Sequence, residues 1–221
     1  MIVYELITDT VPPAKSTDAA GMALTWMSEF KVNQLPIVDE GRYLGMITEN
    51  EILDAANPEE AIGVIRYPGW DSAYVYQNQH IYDALDVMNN FQLEVLPVLD
   101  EEDRYVGAIT LRDVSTYLSK LFAVSEPGSI LVLSIPKRGY VLSEIGRITE
   151  SADAKVLSLY LSAVPDAQEV VLTIKLNVED PSRVIAAFER FQYTILRTYY
   201  RSAYGDDLQS NFDSLLRYLN T

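Results

Sequence analysis

The 221-residue chain has no cysteine, a single histidine, and only 17 basic residues against 32 acidic ones. Without cysteine there is no disulfide, no thiolate zinc site and no thiol nucleophile. One histidine, His80, excludes a histidine-rich metal centre. The formal net charge of −15 argues against nucleic acid and anionic membrane as partners, since both are bound through excess Lys and Arg. No apolar run approaches the roughly 20 residues needed to cross a bilayer. The opening Met1-Ile2-Val3-Tyr4-Glu5-Leu6 lacks the basic region and small-residue cleavage site of a signal peptide, so a cytoplasmic protein is expected. What the chain does have is a globular composition, 48% hydrophobic and 10% aromatic, with length for one or two cores.

Charge is unevenly placed. Residues 1–122 hold 20 acidic and 7 basic residues, whereas 123–221 hold 12 and 10. The shift coincides with Glu126-Pro127-Gly128, and Pro-Gly marks a turn or linker. The expected parse is a first domain over 1–125, a second over 129–204 and a short C-terminal helix over 205–221.

The first half is internally duplicated. Residues 23–40 align with 84–101, and after a one-residue insertion 42–53 align with 104–115. Thirteen of these 30 positions are identical, far above chance, so the repeats run over about 1–61 and 62–122. In the first copy Ala20, Ala23, Leu24, Met27 and Phe30 fall at helical spacing, and in the second Ile81, Ala84, Leu85, Met88 and Phe91 do. A short apolar strand follows (35–38; 96–99), then an acidic turn, a second strand (43–48; 105–110) and a second helix (50–56; 111–122). The unit reads β-α-β-β-α, and two copies should pack sheet against sheet to cover their apolar faces. The predicted fold class is α+β.

These residues resemble the CBS domain, and the tandem copies resemble a CBS pair, or Bateman module, over about residues 1–122. The resemblance implies a small-molecule sensor for an adenosine-type nucleotide such as AMP, ATP or S-adenosylmethionine, held in the cleft between the repeats. No other cofactor and no metal is expected. The family's signature, Gly-h-h-Thr/Ser-x-x-Asp/Asn at a strand-to-helix junction, is matched by Gly107-Ala108-Ile109-Thr110-Leu111-Arg112-Asp113. In this role glycine admits close backbone approach. Thr110 would offer its hydroxyl to a phosphate at a helix N-terminus, and Arg112 would grip the phosphate as a bidentate donor. Asp113, an acceptor-only carboxylate, suits ribose hydroxyls. The first copy reads Gly45-Met46-Ile47-Thr48-Glu49-Asn50-Glu51, with Glu51 one methylene longer than the expected Asp and Glu49 adding negative charge. Both Thr48-x-x-Glu51 and Thr110-x-x-Asp113 equally fit ordinary helix capping.

Other chemistry-bearing residues have plainer readings beside the sharp ones. Asp100-Glu101-Glu102-Asp103 is a hard-cation candidate or a solvated hairpin turn. His80 is a cleft residue or a helix cap. Trp26 lies on an apolar helix stripe and reads as core. Trp70, in the connection between repeats, is a candidate to stack on an adenine or simply a linker aromatic.

Past residue 129 the pattern predicts strand 130–135, a helix with Val141, Leu142, Ile145 and Ile148, strands 155–162 and 169–177 broken at Pro165-Asp166, a helix opened by Pro181, and strand 194–200. This β-α-β-β-α-β order is ferredoxin-like, an order found in many domains. With its basic turn Lys137-Arg138-Gly139-Tyr140 it resembles an ACT domain, which implies an amino-acid-binding turn at Arg138 and Gly139. Residues 206–221 place Leu208, Phe212, Leu215, Leu216 and Leu219 on one apolar helix face.

A CBS pair followed by an ACT-like domain resembles the acetoin-utilisation-type regulatory proteins. The resemblance implies a non-catalytic sensor, a homodimer that signals to an unknown regulated protein through dimer or inter-domain rearrangement. The alternative is a ligand-free, degenerate CBS scaffold that mediates protein–protein interaction. No motif supports an enzyme.

Overall fold

The computed structural model describes residues 2–8, 10–55, 57–65, 70, 72–138, 140–163 and 168–200. The chain divides into two compact units, Met1–Tyr117 and Leu118–Thr221. The division falls inside a helix, ahead of the Glu126-Pro127-Gly128 break read from composition.

In the first unit the two copies share the order helix, strand, strand, helix and differ in the leading strand. The first contains helix α1 (Ala20–Phe30), strands β1 (Gln34–Asp39) and β2 (Arg42–Thr48) and helix α2 (Glu49–Asp54). The second contains β3 (Val75–Tyr76), α3 (Ile81–Phe91), β4 (Val95–Leu99), β5 (Tyr105–Thr110) and α4 (Leu111–Leu121). Helices α1 and α3 bury Ala20, Ala23 and Met27, and Ile81, Ala84 and Met88, at the expected spacing. Both end on a left-handed residue, Lys31 at φ 59° and Gln92 at φ 53°. Trp26, expected in the core, is half-buried on the flank of α1, where the narrow apolar stripe ends. The central strands β1 and β4 are buried along their length. Side chains such as Leu35, Ile37, Leu96 and Val98 are fully withdrawn from water, each worth roughly 1.5–3 kcal/mol.

One expected strand is nearly absent. The first copy's leading strand is reduced to a single parallel bridge, Ala14 to Ile37, whereas β3 pairs with β4 over two residues. Pro12 and Pro13 precede Ala14 and remove two ladder donors, which confines pairing there to one residue.

Both hairpins carry a register shift at the same point, between Ile37 and Val38 and between Val98 and Leu99. The glycine beyond each bulge, Gly45 at φ 145° and Gly107 at φ 149°, lies where L side chains are strained. The copies interlock through their ends. The backbone N–H groups of Val3 and Tyr4 donate to Gln79 and Gln77 carbonyls at 2.9 and 3.0 Å, and Thr8 N–H donates to Ala108 at 3.2 Å. Gln34 Nε2 donates to the Gln92 carbonyl at 3.1 Å, and the side chain of Asn33 donates to Glu94 at 3.2 Å.

The acidic turn resolves as a self-tied hairpin. Asp100 is 7% exposed; its Oδ1 accepts from the N–H groups of Arg104 (2.9 Å) and Glu102 (3.0 Å), and its Oδ2 from Arg104 Nε (2.8 Å). Among the described residues no group of three or more His, Asp or Glu is placed to hold a metal ion. The Arg104 backbone and guanidinium donors hold the Asp100 carboxyl below its usual range, and the Ser16 hydroxyl and N–H do the same for Asp39 in the matching turn. A depressed folded-state pKa contributes stability above the unfolded value of about 3.9 that is lost as pH falls through the folded value. Urea midpoints measured from pH 7 down to pH 3 should therefore fall below about pH 4. Asp100→Asn should be less stable at pH 7 and show a shallower acid decline.

The second unit contains β6 (Ser129–Pro136), α5 (Leu142–Ser151), β7 (Val156–Ala163), β8 (Glu169–Leu176), α6 (Ser182–Arg190) and β9 (Thr194–Tyr199). Its antiparallel sheet runs in the order β7-β8-β6-β9. Leu131, Leu133 and Ile135 alternate inward on β6 and meet Leu172, Ile174 and Leu176 with Ile145, Ile148, Val184 and Phe188 of the helices. The two helices thus share one face of the sheet. Val141 and Leu142, expected on the stripe of α5, are 48% and 57% exposed, because the helix starts only at Leu142. Pro181 is the N-cap of α6 rather than its first helical residue. The Pro165-Asp166 break and the helix over 205–221 lie outside the described residues, and no helix among those described is long and apolar enough to cross a membrane.

Candidate functional site

The second motif is built as a capping box at the start of α4. Thr110 N–H and hydroxyl both donate to Asp113 Oδ2, at 2.9 and 2.6 Å, while Asp113 N–H donates to Thr110 Oγ1 at 3.2 Å. The Thr8 hydroxyl, arriving from the N-terminal segment, donates to the same Oδ2 at 3.1 Å. One carboxylate oxygen therefore gathers three donors and fixes the helix start, its hydroxyl and the crossing segment together.

Beside this box lies a groove of about 580 Å³, within the usual size range of small-molecule sites. Thr110, Leu111 and Arg112 form one wall, and Glu29, Phe30 and Lys31 at the C-terminal end of α1 form another. Val11 and Glu94 also line it. Glu94 is held by Asn33, whose N–H and side-chain amide donate to its two oxygens at 3.0 and 3.2 Å. The groove thus offers two cations, Arg112 and Lys31, two carboxylates, Glu29 and Glu94, an aromatic face, and the positive end of an 11-residue helix.

Of the four residues expected in the second site, Thr110 and Arg112 line this groove. Gly107 and Asp113 do not. Gly107 lines a separate pocket with Thr8, Val11 and Tyr105, and Ile7 of this chain approaches its backbone, so the glycine serves a close crossing of two segments. Asp113 stands behind Thr110 as its anchor. The wall from α1 was not expected as a site, although the duplicated Phe30 and Phe91 mark equivalent helix ends.

The first motif folds the same way despite its longer carboxylate. Thr48 N–H and hydroxyl each donate to Glu51 Oε2 at 2.8 Å, and Glu51 N–H donates to Thr48 Oγ1 at 3.2 Å. Glu51 Oε1 then accepts from the indole Nε1 of Trp70 at 3.3 Å. Gly45 sits on β2 directly after the bulge, as Gly107 does on β5. His80 caps α3, with Nδ1 accepting from Tyr82 N–H at 3.3 Å. Arg138 is exposed beyond β6, and Gly139 lies outside the described residues.

Two copies of one strand-to-helix box, interlocked through their leading segments, are matched by a comparison at the family level. Residues 3–57 and 66–120 each match the CBS domain. The first unit is a tandem CBS-domain pair. Among curated proteins, this CBS-pair chain is 27% identical over 111 residues to the inosine-5'-monophosphate dehydrogenase of Methanocaldococcus jannaschii, covering 50% of this chain but only 22% of that enzyme's length. Among solved structures, a CBS domain pair/ACT domain protein from Thermotoga maritima is similar at TM-score 0.49 and 24% identity, over 53% of this chain and 96% of that one. A CBS-domain pair in complex with 5-methylthioadenosine and S-adenosyl-L-methionine is similar at TM-score 0.44 and 25% identity, over 54% and 96%.

Proposed function

We propose that the chain is a non-catalytic regulatory sensor that binds one adenosine-type nucleotide in the groove between α1 and the N-terminus of α4. The observation that carries this reading is the convergence of Arg112, Lys31, Thr110 and the α4 N-terminus on one groove with an aromatic wall, Phe30. Phosphate suits the cations and helix end, and a flat base suits the ring. Asp113 acts here on the helix end, since it accepts from the Thr110 hydroxyl and fixes the start of α4. Binding would draw the end of α1 toward the start of α4 and so favour one arrangement of the two repeats over another, the differential affinity that signalling requires.

The second unit is read as a ferredoxin-like, ACT-like domain. Its strand order β7-β8-β6-β9 and the two helices on one face support that reading, as in acetoin-utilisation-type regulators. In this proposal it passes the signal on within a homodimer, and the exposed Arg138 is its candidate anion-holding residue.

Titration calorimetry of the full chain against AMP, ATP and S-adenosylmethionine tests the reading. Heat at a stoichiometry of about one per chain with at least one of them is expected. No heat and no thermal shift with any of the three would rule it out. That second outcome, with dimerisation intact, is the result expected of a ligand-free interaction scaffold, a reading favoured by the full internal satisfaction of both motif boxes.

A further inference from the structure

We infer that Trp70 is a built-in occupant of the first copy's cleft, which is a second, self-filled site for a flat, uncharged heterocycle. The internal repeat supplies the frame. The groove residues Phe30, Lys31, Thr110, Leu111 and Arg112 correspond by register to Phe91, Gln92, Thr48, Glu49 and Asn50. The open groove on one side of the pair thus has a counterpart between the end of α3 and the start of α2.

Trp70 spans the two walls of that counterpart. Its indole N–H donates to Glu51 Oε1 at 3.3 Å, and its ring lies 6.3 Å from the Phe91 ring at a 40° tilt. Both are what a bound heterocycle would do there, with a ring N–H on the motif carboxylate and a face against the aromatic wall. The residue is held from its backbone side as well, since the Tyr43 hydroxyl donates to the Trp70 carbonyl at 3.1 Å. Because Glu51 is one methylene longer than Asp113, it closes its capping box through Oε2 and still extends Oε1 to the indole.

The electrostatics of the two clefts differ. Lys31 and Arg112 are replaced by the neutral Gln92 and Asn50 and Leu111 by the acidic Glu49, while Glu29 and Glu94 of the open groove are replaced by the neutral Asn90 and Asn33. Among the described residues corresponding to the groove lining, a phosphate would meet no cation, and the carboxylates of Glu49 and Glu51 would oppose it. A neutral ring with an N–H or amine donor faces no such penalty. The acidic half of the chain therefore carries one groove in which Lys31 and Arg112 offset Glu29 and Glu94, and a counterpart whose corresponding described residues bring only acidic charge and which a residue of its own connection occupies.

This inference uses the proposed function only in treating the first cleft as a ligand site, and its test does not depend on nucleotide binding. Full-length Trp70→Ala should melt lower than the wild type and recover much of the loss with millimolar indole or adenosine, while the wild type should not respond to indole. AMP titration of the same variant reports separately on the Arg112 groove and should match the wild type. A Trp70→Ala protein that melts like the wild type and ignores both indole and adenosine would overturn the inference. If that variant does not fold, a Trp26→Phe chain, with Trp70 as sole tryptophan, decides the matter. Emission shielded from acrylamide is expected, and quenching like that of free tryptophan would overturn it.

Discussion

Gly107→Ala is expected to cost the first unit about 2–4 kcal/mol, measured as the loss in urea-unfolding free energy at pH 7. Two effects combine. Its φ of 149° lies where an L side chain is strained, and the added Cβ would collide with Ile7 Cγ2. That methyl is bonded directly to a branched Cβ, so it cannot swing aside without moving the backbone of the crossing segment. The displacement would reach the groove, because the same segment carries Thr8, which donates to Asp113. Weaker nucleotide binding should therefore accompany the lost stability. Gly146→Ala in α5 is the contrast. An added Cβ there meets nothing within 4 Å, so the change should be neutral or mildly stabilising, by up to about 1 kcal/mol. An unchanged unfolding free energy for Gly107→Ala would show that Ile7 does not hold the position described.

Arg112→Ala is expected to weaken AMP binding about 10- to 100-fold with little change in melting temperature. Hydrogen bonds to a charged group contribute about 1.5–3 kcal/mol, and each 1.4 kcal/mol is tenfold in affinity. Arg112 is exposed, and no hydrogen bond of its side chain is seen among the described residues, so its removal should leave the fold intact. Arg112→Lys should recover part of the loss, because an ammonium supplies charge without the planar fork. Salt should weaken the wild type more than Arg112→Ala, since the variant has lost one of two screened contacts. Equal affinity in Arg112→Ala and wild type would remove the cation from the account.

Much of this architecture could be read from the residues. Duplication located both strand-to-helix boxes, because Gly, Thr and an acidic residue recur at fixed spacing. Periodicity located α1 and α3 because Met27 and Met88 recur on equivalent buried faces. The groove wall at Phe30 and Lys31 was not legible, since sequence spacing says nothing of which helix end faces which across the pair. Gly107 was legible as a special backbone position, but its neighbour was not. The pattern fits a ligand and Ile7 equally. Trp70 was visible as a linker aromatic or an adenine-stacking candidate, but its partners were not, because Glu51 and Phe91 lie 19 and 21 positions away on opposite copies. The shortened leading strand was not expected, and Pro12 and Pro13 explain it only once the Ala14 bridge is seen.

Hydrogen–deuterium exchange of the full chain, with and without saturating AMP, tests the central assignment most directly. Protection is expected at residues 29–32 and 110–115, where α1 ends and α4 begins, with 48–53 and 90–93 unchanged because Trp70 already fills that cleft. Protection at 48–53 without change at 110–115, or no protection anywhere, would contradict it.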